Sequence, residues 1–136
     1  MKKKLAISVA VIVIIVIMGY IWWSSPVQFL DSVNADDVLR VEVFNGNSGE
    51  GFIIENKNDI SYIVSNIQNI TMKREKVSFG YMGYGYRLKF YNGNGKKIDE
   101  FIVNSNDTVR NDPFFYTDTT GNLCEDYLKG LEEASK

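Results

Sequence analysis

The chain reads as an α+β protein: an antiparallel sheet of five or six strands in the order ββαβββ(β)α, with two helices on one face and a single transmembrane helix ahead of it. Three observations carry that reading. Leu39, Val41 and Val43 alternate with Arg40 and Glu42, and the residues from Met82 to Phe90 alternate in the same way, which is the period of a half-buried strand. Ile60, Ile63, Val64, Ile67 and Ile70 instead recur at steps of three and four, the stripe of an amphipathic helix. Asn92-Gly93-Asn94-Gly95, between "YRLKFY" and "KKIDEFIVNS", is hairpin-turn chemistry because Asn and Gly accept positive φ.

The N-terminus predicts a membrane anchor. Lys2, Lys3 and Lys4 precede an uncharged apolar run from Leu5 to Trp23. At 1.5 Å per residue that run extends about 28 Å, matching the roughly 30 Å hydrocarbon core of a bilayer. The lysines favour the cytoplasmic side, and Tyr20, Trp22 and Trp23 fall where an aromatic belt meets the far headgroups. A cleaved signal peptide shares the basic start and apolar run, but Trp22 and Trp23 stand where its cleavage site needs small residues. The expected organisation is residues 1–4 as a cytoplasmic start, 5–23 as the anchor, 24–36 as a polar stalk opened by Pro26, where Phe29, Leu30 and Val33 could form one turn of helix against the domain, and 37–136 as the extracytoplasmic domain.

Along the outer domain, Val38–Phe44 and "FIIE" flank the turn "NGNSGEG" and form a first hairpin. The isoleucine stripe follows, capped by Asn58 or by Asn56 with Asp59. "KREKVSFG" is the next strand, its core face carrying Val77 and Phe79. The second hairpin follows; on its return strand Asp99, Phe101 and Val103 compete with Ile98 and Ile102 for the core, and a bulge reconciles them. "NSNDTVRNDP" reads as a polar loop, "FFYT" as an edge strand, and "NLCEDYLKGLEEA" as a final helix. Asn122 and Glu125 stand at capping-box spacing, and Cys124, Tyr127, Leu128 and Leu131 share the apolar face.

"GYMGYGYRLKF" supplies the candidate site. In an extended strand Met82, Tyr84, Tyr86, Leu88 and Phe90 point into the core, while Gly83, Gly85, Arg87 and Lys89 point out. The glycines then bare a strip of backbone flanked by Tyr81 and Arg87, so Tyr81, Gly83, Gly85 and Arg87 are the expected ligand-binding residues. The competing reading is a strand whose glycines accommodate a bulge or a packed neighbour. A phosphate cradle is the weaker reading, since G-x-x-G-x-G is in the wrong order for a dinucleotide fingerprint and no helix follows.

Little catalytic chemistry fits the composition. The chain has no histidine, which removes Ser-His-Asp and Cys-His pairs and leaves zinc only one thiol and carboxylates. The pairs Asp36-Asp37, Asp99-Glu100 and Glu132-Glu133 read as solvated surface charge, because neighbours on a strand face opposite ways. "DTTGN" lacks the ligand spacing of a calcium loop, and Cys124 reads as a small buried hydrophobe. No catalytic residue, metal site or cofactor is expected. Twelve basic residues against 17 acidic ones give the outer domain a charge of −5, which disfavours both nucleic acid as a partner and lying on an anionic membrane surface, since each favours a basic patch.

The layout of a basic start and single anchor, then "I..IV..I..I", then "Y.YRLKFYNGNGKKI..F.V" and a final "YL..L", resembles small uncharacterised membrane-anchored or secreted domains of Firmicutes. Frequent Asn, Ile and Lys agree with the envelope of a Gram-positive bacterium. The resemblance implies an α+β fold and this location, with no catalytic residue attached. The expected role is a non-catalytic binding or sensing module whose partner is an envelope protein or cell-wall component. The alternatives are a structural subunit of a membrane complex and a carboxylate-dependent hydrolase.

Overall fold

The structure is a computed structural model that describes all residues 1–136. Helix α1 spans Lys2–Ser24. One turn of 3-10 helix, Ala35–Asp37, leads into strands β1 (Val38–Asn45) and β2 (Gly51–Ile54), followed by helix α2 (Lys57–Gln68). Then come β3 (Lys73–Val77), β4 (Tyr86–Asn92), β5 (Lys97–Val103), β6 (Thr108–Asn111), β7 (Phe114–Thr117) and helix α3 (Glu125–Ala134). All strands join one antiparallel sheet in the order β2-β1-β4-β5-β6-β7-β3.

The sheet thus has seven strands, where five or six were expected. The added strand, β6, is "TVRN", inside the stretch expected to be loop. Its four residues send only Val109 into the core, so no alternation betrays it. "FFYT" is not the edge. It lies between β6 and β3, and β3 is the edge instead.

The inner face carries Val41, Val43, Tyr86, Leu88, Phe90, Phe101, Val103, Val109 and Tyr116 in one buried cluster. Helix α2 adds Ile60, Ile63, Val64 and Ile67 to that cluster and α3 adds Leu128, so both helices cover the same face. Asn56 caps α2 by accepting from the amides of Asn58 and Asp59, which satisfies two otherwise unpaired donors. The capping box of α3 does not form: Cys124 occupies the N-cap position with no side-chain bond, and Asn122 instead lends its carbonyl to Asn66.

Register shifts interrupt the sheet at three places, on β1, on the β4–β5 pair and between Arg74 and Lys76 on β3, and the first two redirect core side chains. One between Val38 and Arg40 buries Val38 and leaves Leu39 exposed, reversing the expected roles. The other, between Phe90 and Tyr91, lets Ile98 pack on the same core as Phe101 and Val103. On β3 the expected core residues Val77 and Phe79 are exposed, and Met72 and Ser78 are buried at its two ends.

The segment between α1 and β1 is packed along its length. Ser25 is extended, as a residue before proline must be, and ends α1. Val27 then bridges Met72 through a pair of backbone hydrogen bonds. Phe29 lies in the core against Phe101 and Tyr116, with both ring centroids 5.1 Å away. Leu30 is buried too, and the Gln68 amide donates to the carbonyls of Leu30 and Val33. Trp22 and Trp23 pack edge-on against Phe114, and the Arg74 guanidinium lies 4.2 Å from the Trp22 ring centre while donating to the Trp22 carbonyl.

Candidate functional site

In-register pairing aligns one row of side chains across the outer face: Phe44, Arg87, Ile102, Arg110, Phe115 and Lys76, on β1, β4, β5, β6, β7 and β3 in turn. Ile102 and Phe115 are buried although they stand apart from the inner core cluster. The glycine–tyrosine stretch helps to cover this row. Strand β4 begins only at Tyr86, and the preceding residues loop back over the outer face.

The loop is held at both ends. Ser78 donates its amide to Pro113 and its hydroxyl to Asp112 at 2.5 Å, and Asp112 also accepts from Arg110. Arg110 keeps Nε and Nη2 on Asp112 and turns Nη1 to the carbonyls of Tyr81 and Gly83, at 3.2 and 3.5 Å. The Tyr81 ring stands edge-on over Phe115, 5.1 Å between centroids, with the Lys76 ammonium 4.8 Å from its face. At the far end Gly85 donates to the Asn104 side chain and accepts from the Gly46 amide.

The four expected site residues separate into different roles. Tyr81 and Arg87 are on the outer face, as expected. Gly83 has φ +83° with open space around it, so it serves the turn. Gly85 is not open: a Cβ there would stand 2.5 Å from the Val103 carbonyl oxygen, and only glycine allows that approach. Met82, expected inside, is 97% exposed. Tyr84, also expected inside, packs on the outer face over Arg87 at 4.6 Å and beside Phe44 at 6.2 Å. Inward alternation holds from Tyr86 onward. Extrapolating it back across two glycines failed because the chain turns there.

Between Tyr84 and the β1–β2 hairpin lies a cleft of about 440 Å³. Phe44, Ile53 and Tyr84 give it apolar walls, and Glu42, Arg87 and Lys89 give it charge. Glu42 is occupied by Arg40 at 3.2 Å and by the Tyr91 hydroxyl at 3.2 Å. Arg87 is 3.9 Å from Glu100, whose carboxyl is held below its usual range mainly by a hydrogen bond from Lys97. Lys89 forms no ion pair within the chain.

A second polar cluster lies beneath the β1–β2 turn. Glu132 is buried, and its carboxylate accepts from the Tyr86 hydroxyl at 2.7 Å, the Asn45 amide at 2.9 Å and the Ser48 hydroxyl at 3.3 Å. The bond from Tyr86 is the main reason its pKa lies below the ordinary carboxylate value. Burial, reinforced by the same bond, drives the Tyr86 hydroxyl well above its usual range. Glu132 therefore departs from the expected surface-charge role. The available signal was its position four residues after Leu128, on the stripe that α3 buries. Cys124 is buried and its thiol is pushed up to about 12 by desolvation.

No protein-family model, no curated protein and no solved structure matches the chain. No residue role is therefore transferred from a relative.

Proposed function

We propose that the chain is a membrane-anchored, extracytoplasmic binding or sensing module of a Gram-positive cell envelope, without catalytic activity, and that its outer-face cleft engages an envelope protein or cell-wall component. Helix α1 is long and apolar enough to cross a membrane, and none of its residues is buried against the domain. Lysines at one end and tryptophans at the other support a cytoplasmic N-terminus with the domain outside.

The observation that carries the binding reading is the cleft walled by Phe44, Ile53 and Tyr84 with Arg87 and Lys89 at its rim. Aromatic walls bury apolar surface, and Arg87 and Lys89 at the rim, with Lys89 in register between Glu42 and Glu100 but ion-paired to neither, can donate to a ligand bearing a carboxylate or phosphate. The non-catalytic reading draws support from Glu132 and Cys124. The carboxylate is engaged by three side-chain donors, and the thiol stays protonated and buried.

A photo-crosslinking amino acid at Tyr84, in the full chain expressed in intact Gram-positive cells, tests the reading. The expected result is a discrete adduct that disappears with Phe44→Ala and does not form from the same group at Tyr62, on α2. Absence of an adduct at Tyr84, or an equal one from Tyr62, overturns the assignment of the cleft.

A further inference from the structure

Strand β3 is the sheet edge beside the end of α1. Arg74 reaches back to Trp22, and Val77 pairs with Phe114, the residue on which Trp22 and Trp23 pack. Wherever the tryptophans meet the headgroups, this edge is held at the same level. Its composition suits that place. Lys73, Arg74 and Lys76 form no ion pair within the chain, and Glu75 is the one acid among them. Val77 and Phe79 follow, 45% and 77% exposed, with no covering element.

Nothing in the fold needs an apolar side chain at Phe79, since Ser78 anchors the loop through Pro113 and Asp112. Desolvation of an exposed Phe in the headgroup region is favourable, and each cation near an anionic surface is drawn to it. On the reading of α1 as the membrane span, we propose that the β3 edge is a second membrane contact. Lys73 and Lys76 bind the phosphate groups of anionic lipids in the leaflet around the tryptophans, while Arg74 stays engaged with Trp22, and Phe79 enters the headgroup layer.

The test uses the full chain in phospholipid vesicles, with an environment-sensitive thiol probe on Phe79→Cys or, as control, on Glu55→Cys. Cys124 is buried and does not compete for the probe. Glu55 follows the opposite edge strand, six strand spacings or roughly 29 Å away. Spin-labelled lipids should quench the Phe79 probe several-fold more than the Glu55 probe in vesicles containing phosphatidylglycerol. That excess should shrink in phosphatidylcholine alone and in the Lys73→Gln/Lys76→Gln variant, whose folding is checked by circular dichroism. Equal quenching at the two sites, or equal quenching in charged and neutral vesicles, overturns the proposal while α1 still co-floats with lipid. Failure of the chain to co-float sinks the anchor reading itself.

Discussion

Glu132 shows how much one side chain holds together: its carboxylate joins α3 to β4 through Tyr86 and to the β1–β2 turn through Asn45 and Ser48. Glu132→Ala strands the buried Tyr86 hydroxyl and Asn45 amide, and should cost on the order of 3 kcal/mol in urea unfolding, with Glu132→Gln losing less. The pH dependence has a definite sign. Because the folded pKa of Glu132 lies below 4.5, its contribution is complete above that value and is lost as pH falls through it toward the lowered one. Tyr86 acts at the other end, its contribution being complete below pH 10 and lost above it. Acid unfolding of Glu132→Gln should therefore be shallower than that of the parent chain below pH 4.5. Two glycines of one loop should also diverge. Gly85→Val drives a side chain into the Val103 carbonyl and should destabilise by about 3 kcal/mol, whereas Gly83→Ala meets only its positive φ, about 1–2 kcal/mol. Equal melting temperatures for the two would contradict the close approach at Gly85.

Between elements, the packed segment from Ser24 to Asp36 shows where sequence patterns carry and where they stop. Helix α2 was legible because four isoleucine or valine side chains fall on one stripe and Asn56 precedes it. The β4–β5 hairpin was legible because its turn residues admit little else. Phe29 and Leu30 gave a weaker sign, enough with Val33 to suggest one turn of helix against the domain but not the buried, non-helical path they take, and Leu30 has φ +58°, which no pattern announces. Strand β6 was obscured in a related way, being four residues long and sending only Val109 inward, whereas β7 was legible as a strand but not in its place inside the sheet. Of the cleft lining, the outward face of Arg87 was legible from the strand period, while Tyr84 was hidden by a turn that the bonds of Gly85 to Gly46 and Asn104 and of Arg110 to Tyr81 and Gly83 hold in place. Phe29 belongs to the core on equal terms with any strand residue, so Phe29→Ala should lose about 3–5 kcal/mol by thermal or urea melting. An effect under about 1 kcal/mol would mean that the segment merely leans on the domain.

For the molecule as a whole, the proposed topology makes a direct prediction. Protease added to intact spheroplasts should degrade the domain and leave a small membrane-bound fragment that retains Lys2 to Lys4; full protection would place the domain in the cytoplasm. The joint described above then sets how the molecule can search. A free chain from Ser24 to Asp36 would pay out up to roughly 45 Å of line. Here only Ser25 and Pro26 separate the helix from the Val27–Met72 bridge, so no slack remains. On the proposed reading, the domain travels with its helix as one body and patrols a layer no deeper than itself. Diffusion in the plane of the bilayer, rather than reach into the wall, is what brings the cleft to its target, and a partner confined to the outer wall lies beyond its patrol.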